Sequence, residues 1–199
     1  MSGDVARSPR VGVVIPIRSF IGAKARLADH LDEDARATAL RLMADRVLDA
    51  AAPLTVIVVS SAPEVRAWAV ERGVEVVDDA GSLDAAAAGG VEHLRARGFT
   101  RAVVVHADLP HARSLAPLAE DFGADVVAMV PCHREDGTNV LSVPTTVDFT
   151  FAYGAGSFAR HVAEAQQLGL NTVVIHDPEL SIDVDVPDDL EHLRSSSPT

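Results

Sequence analysis

Six short runs of β-branched and aliphatic residues recur along the chain: Val11–Ile17, Leu54–Ser60, Val74–Val77, Ala102–His106, Asp125–Val130 and Thr172–His176. Their apolar positions are nearly continuous instead of alternating with polar ones. Strands covered on both faces read this way, so the runs predict a parallel or mostly parallel sheet. Between them the apolar positions change to helical spacing. The segment Asp32 to Ala52 opens with acidic residues, then carries Ala39, Leu42, Met43, Arg46, Val47 and Ala50 at roughly i, i+3, i+4, i+7. Pro63 to Arg72, Leu83 to Arg97, Ser114 to Phe122 and Ser157 to Leu168 read as further helices, with Gly73, Gly98, Gly123 and Gly169 as stops. A last helix begins near Pro187.

Alternating strands and helices predict an α/β fold, a three-layer α/β/α sandwich. The alternation is clean to about Pro131. Residues 131–150 then read as loops and short strands, a small β excursion that interrupts the wound sheet. No internal repeat is visible. The reading is one domain over 11–194, a flexible N-terminus over 1–10 and a disordered tail over 195–199.

Composition narrows the function. The 199 residues suit one domain with a real core, and at 4% aromatics that core rests on Val, Leu, Ile and Ala. The net charge of −12 leaves no basic stripe for a duplex, so nucleic acid is not an expected partner. Cys132 is the one cysteine, which excludes a disulfide framework or cysteine-rich zinc site. No apolar run reaches the ~20 residues of a membrane span, and Met1 to Arg10 lack an apolar signal core. A cytoplasmic protein is expected.

Five segments carry candidate chemistry. The loop after the first strand holds Arg18, Lys24 (the only lysine) and Arg26 in a chain otherwise rich in acid. It suits a triphosphate clamp at the carboxyl edge of the sheet, or a solvated basic turn. It is not a Walker loop, and no Gly-x-Gly-x-x-Gly follows a strand. Asp108 ends the apolar strand Val103–Val105 and suits either magnesium with a substrate phosphate or the cap of a helix starting near His111. Asp183 and Asp185 alternate with Ile182 and Val184, which on a strand places both carboxylates on one side. Two such carboxylates are costly unless a cation separates them, and with Asp108 they would form a metal site. Asp188 and Asp189 suit the dipole of the helix that follows. Thr138 and Asn139 offer hydrogen bonds, and Ser157 opens a helix whose first N–H groups form an anion site or are simply capped. Asp78 and Asp84 flank the loop after the third strand, where a base would be read or a helix capped.

In combination these pieces resemble the CofC/FbiD family, the 2-phospho-L-lactate and phosphoenolpyruvate guanylyltransferases of coenzyme F420 biosynthesis. The resemblance spans about Val11 to Leu190. It rests on Pro16-x-Arg18 with Ala23-Lys24-x-Arg26-Leu27, on Ala107–Pro110, on Gly137–Leu141, on Tyr153-Gly-x-Gly-Ser-Phe158 followed by His161, and on Asp183–Leu190. It implies a Rossmann-like, GT-A type nucleotidyltransferase fold akin to molybdenum-cofactor guanylyltransferases. It implies acceptor binding near Thr138, Gly154 and Ser157, with magnesium on Asp108, Asp183 and Asp185. Lys24, Arg26 and Asp108 would be catalytic, and Arg18, Lys24, Asp78 and Asp84 would hold the nucleotide. The partners implied are GTP and a small phosphorylated acid, and the family admits a homodimer. Two departures stand out: Asp84 replaces the usual Asn, and Glu135 and Asp136 replace small residues, adding charge beside an anionic acceptor. Two alternatives remain at this stage: a related nucleotidyltransferase for CTP or a sugar phosphate, and a non-catalytic nucleotide-binding module.

Overall fold

A computed structural model describes residues 10–194. The flexible N-terminus and the disordered tail read from the sequence lie outside these, apart from Arg10. Among the described residues seven strands form one sheet in the order β3-β2-β1-β4-β6-β5-β7. They are β1 (Val11–Pro16), β2 (Thr55–Val59), β3 (Glu75–Val77), β4 (Arg101–Val105), β5 (Val126–Pro131), β6 (Thr138–Pro144) and β7 (Asn171–Val174). Every neighbouring pair is parallel except those of β6, which runs antiparallel to both β4 and β5.

The helices are α1 (Glu33–Ala50), α2 (Pro63–Glu71), α3 (Leu83–Ala96), α4 (Ser157–Gln167) and α5 (Leu190–Arg194). Local chemistry starts three of them. Asp32 caps α1 by accepting from the Ala35 N–H at 2.8 Å, and Ser82 caps α3 through the Ala85 N–H at 3.1 Å. Pro63 fills the first turn of α2, where its missing N–H costs nothing. One face of the sheet packs Val13, Ile15 and Val103 against Met43 and Val47 of α1 and Val65 and Trp68 of α2. The other packs Val14, Ile57 and Val104 against Ala87, Val91 and Leu94 of α3 and Ala165 of α4. The expected three-layer α/β sandwich is therefore present. Gly90 lets α3 lie close on the sheet: a Cβ there would stand 2.4 Å from Val14 Cγ1.

Three local expectations change. Residues 114–122 do not form a helix but a single 3-10 turn, Ala116–Leu118. Pro117 removes a donor, and burying Leu115 and Leu118 needs only one turn. The β excursion read over 131–150 is present and changes only in its place: it is β6, a fully buried antiparallel strand inside the same sheet. The segment bearing Asp183 and Asp185 is irregular, not a strand.

The reversal of β6 matters for function. Val105 pairs with Val140 and Pro131 with Thr138. The amino end of β6 thus lies at the sheet edge where β1, β4 and β5 end. Chain segments remote in sequence meet there, as ligand-binding segments do in open α/β sheets.

Candidate active site

The loop after β1 is held from both helices of its layer. Ser19 Oγ donates to Glu64 Oε1 at 2.5 Å and the Phe20 N–H donates to the same oxygen at 3.2 Å. The Phe20 ring stands edge-on to Trp68, with centroids 5.6 Å apart. Arg36 of α1 donates from Nε to the Ala23 carbonyl at 3.2 Å. The chain then turns at Lys24, whose φ of 54° lies in the left-handed region that a residue with a Cβ seldom adopts. Such strain persists only where the surroundings impose it. Here the turn aims the lysine into the sheet edge.

Glu64 makes the loop testable. Burial opposes its ionisation, but the Ser19 hydroxyl and backbone N–H groups hold its carboxyl below the usual range. A depressed carboxyl stabilises the fold above its unfolded pKa of about 4.3, and the gain is lost as pH falls through the lower folded value. Glu64→Ala is expected to lower the unfolding temperature at pH 7. The gap in stability between the two proteins should hold from pH 5 upward and shrink in acid. Thermal unfolding of both proteins from pH 3 to 8 checks this; a constant gap would deny Glu64 the role.

At the sheet edge, Lys24 Nζ donates to Asp108 Oδ2 and, at 2.7 Å, to Asp185 Oδ1. Asp108 follows β4 and Asp185 lies 161 residues from Lys24, so only the fold brings them together. Burial alone would depress the lysine pKa, but the two carboxylates outweigh it and raise it well above the ordinary range. Asp108 is half-buried, which opposes its ionisation, but the Lys24 charge outweighs this and keeps its carboxyl below the usual range. Asp183 shifts the other way: burial first, then the Asp108 and Asp185 charges, push its pKa up.

The Asp185 segment is held by a residue that sequence reasoning assigned to a helix dipole. Asp189 Oδ2 accepts from the N–H groups of Asp185 and Val186 at 2.8 and 2.9 Å, and its Oδ1 accepts from Arg134 at 2.6 Å. The signal lay in the sequence: Pro187 followed by an acid at the third helical position is a capping pattern. Asn139 also supports this segment, donating from Nδ2 to the Leu180 carbonyl at 3.0 Å.

All of this borders a cavity of about 640 Å³. Of the residues singled out in the sequence, Arg18, Lys24, Arg26, Asp108, Thr138, Gly154, Ser157, Asp183 and Asp185 line it. Arg18 and Arg26 are exposed at its rim, and neither forms a salt bridge among the described residues. Asp78 and Asp84 lie off the cavity lining. Asp78 pairs with Arg66 at 2.6 Å, and Asp84 Oδ1 accepts the Tyr153 N–H at 2.7 Å, tying the start of α3 to the turn before α4. Asp136 Oδ1 accepts the Gly156 N–H of that same turn at 2.8 Å.

The acidic wall fits a hard divalent cation in its chemistry. Asp108 Oδ1 and Asp183 Oδ1 are buried without a hydrogen-bond partner, and carboxylate oxygens are the donors magnesium takes. Among the described residues no three acidic, His or Cys side chains are gathered closely enough to hold a metal ion as they stand. The Lys24 ammonium stands where opposite charge is needed.

Residues 11–194 match the family described as guanylyl transferase CofC like. The chain belongs to that family. A phosphoenolpyruvate guanylyltransferase of Sphaerobacter thermophilus is 33% identical, with 93% of each chain covered. A 3-phospho-D-glycerate guanylyltransferase of Phenylobacterium zucineum is 28% identical over 88% of this chain and 86% of its own. Among solved structures, a nucleotidyl transferase from Methanothermobacter superposes with a TM-score of 0.66 at 19% identity, covering 94% of this chain and 96% of that one. That last likeness concerns the fold alone: this CofC-like chain shares its sandwich with that nucleotidyl transferase. No helix among the described residues is long and apolar enough to cross a membrane.

Proposed function

We propose that this CofC-like chain transfers GMP from GTP to a small phosphorylated carboxylic acid, with phosphoenolpyruvate the favoured acceptor. One observation carries the proposal: a basic loop and an acidic wall meet through Lys24 at the end of β1 and β4, in a chain of this family. The acceptor preference is supported by the Sphaerobacter relative, with 3-phosphoglycerate and 2-phospho-L-lactate as the competing acceptors. The product would enter coenzyme F420 assembly.

An oxygen of the acceptor phosphate bonds to the α-phosphorus of GTP. The bond from that phosphorus to the β-phosphate bridge breaks, and its electron pair leaves with pyrophosphate. A phosphate is already anionic at neutral pH, so no general base is required. Positioning and charge neutralisation are the whole task. Lys24, with Arg18 and Arg26 at the rim, would bind the triphosphate and offset charge on the departing pyrophosphate. The candidate residues at the cavity would divide into a cationic nucleotide side, an acceptor side at Thr138, Gly154 and Ser157, and the acidic wall between them. Asp108, Asp183 and Asp185 would hold magnesium, which supplies charge neutralisation at the reacting phosphates when bound. The nucleobase would lie toward the loop before α3, near Asp78 and Asp84.

Pyrophosphate release with GTP, magnesium and each of the three acids in turn tests this. The expected result is release that needs both GTP and one acid, and that CTP, ATP and UTP support poorly. Release with CTP in place of GTP would identify a different nucleotidyltransferase. Tight nucleotide binding without release would identify a binding module.

A further inference from the structure

His161 lies in α4, fully buried against the rings of Phe149, Phe151 and Tyr153. Packing alone would explain a histidine there, but both ring nitrogens have partners. The Ala152 N–H lies 3.0 Å from Nε2, and Thr138 Oγ1 lies 3.0 Å from Nδ1. A backbone N–H can only donate, so Nε2 must present its lone pair. Burial, the largest cause, drops the ring pKa to about 4, so the imidazole is neutral in ordinary buffers. Its single proton is therefore on Nδ1 and points at Thr138 Oγ1.

The polarity then passes to the cavity. The Thr138 hydroxyl accepts from His161, and among the described residues it has no other hydrogen-bond partner. Its own proton must turn away from the ring. Ser157 Oγ likewise accepts, from the Thr138 N–H at 3.0 Å, which leaves its proton free to donate. Both hydroxyls border the cavity. Each has an accepting lone pair engaged from within the protein and a proton left over. Two such donors side by side match an anionic oxygen and not a donor group.

We propose that His161 is a positioning residue that fixes the Thr138 hydroxyl as a hydrogen-bond donor to an anionic oxygen of the acceptor acid. The proposal rests on the guanylyl-transfer reading above. The ring touches neither substrate; it acts by setting which way Thr138 points.

Two substitutions separate this role from packing. The Asn side chain reaches the place of Nδ1 and keeps a donor toward Thr138. The Gln side chain reaches the place of Nε2 and keeps only the partner of Ala152. His161→Gln is expected to raise KM for the acceptor by about tenfold, the loss of one hydrogen bond to a charged group, with kcat and KM for GTP within about twofold. His161→Asn should recover most of that loss. Equal damage by both variants, or damage to KM for GTP as large as to KM for the acceptor, would overturn the proposal. The 15N shifts of the His161 ring in the wild-type protein give a readout that needs neither a variant nor substrate. A proton on Nδ1 supports the network, and a proton on Nε2 overturns it. If the wild type releases no pyrophosphate with any acid, guanylyl transfer fails as a reading, while the ring shifts still decide the orientation of Thr138.

Discussion

Asp108→Asn is expected to leave a folded protein with kcat reduced by about 1,000-fold or more, the scale on which preorganised charge at a phosphoryl centre acts. The substitution keeps shape and one oxygen but removes the charge that faces Lys24 and the proposed magnesium position. Its effect on stability is a difference of opposing changes. Lys24 loses one of two carboxylate partners. Asp183 loses the neighbouring charge that helps to raise its pKa. Breaking one side of a buried pair costs about 3–5 kcal/mol when the survivor is stranded. Here Asp185 still accepts from Lys24 at 2.7 Å and a like-charge contact is relieved, so a net change near 1–2 kcal/mol is expected. Circular dichroism with a pyrophosphate assay checks both halves. A folded variant within tenfold of wild-type turnover would remove Asp108 from the chemistry.

Hydrophobic pattern alone revealed six of the seven strands, because strands buried on both faces leave unbroken apolar runs. It marked β6 only as loops and short strands over 131–150. That strand carries Thr138, Asn139 and Ser142, which look like loop residues locally yet are buried. Their partners are far away in sequence: Ser142 Oγ donates to the Leu118 carbonyl at 2.8 Å and is approached by Arg101 Nη1 at 3.2 Å. A buried polar residue satisfied by a remote group has no local signature. The same cause hid the role of His161, whose importance lies in what it holds across the fold. The candidate cavity lining was more legible, since Lys24, Asp108 and Asp185 belong to motifs that could be read singly. The grouping of Asp108 with Asp185 was read, but the seating of Lys24 between them was not, because it follows from the left-handed turn at Lys24 and from the irregular path of residues 175–186 around Asp189. The alternation of Asp183 and Asp185 pointed to shared orientation, and both do line the cavity while Val184 is buried in the core. The strand that was to produce this is replaced by side-chain hydrogen bonds to backbone N–H groups.

Lys24→Met separates the nucleotide role of the basic loop from its structural role. Methionine keeps the length and the apolar stem of the lysine but leaves Asp108, Asp183 and Asp185 facing one another with no cation among them. Without added metal, that repulsion and the uncompensated burial of Asp108 should cost about 2 kcal/mol, less than a fully buried pair because the Asp185 side chain is 44% exposed. For a chain of this size the unfolding temperature should fall by about 4–8 °C. Magnesium should raise the unfolding temperature of the variant more than that of the wild type, because no ammonium then competes for the carboxylates. Catalysis should move the opposite way. With the triphosphate clamp weakened, kcat/KM for GTP is expected to fall by about 100-fold or more, while KM for the acceptor stays nearly constant. An unchanged kcat/KM for GTP would make Lys24 a structural counter-ion only. A loss of GTP efficiency without any magnesium-dependent stabilisation would keep the lysine on the nucleotide and take the metal away from the three aspartates.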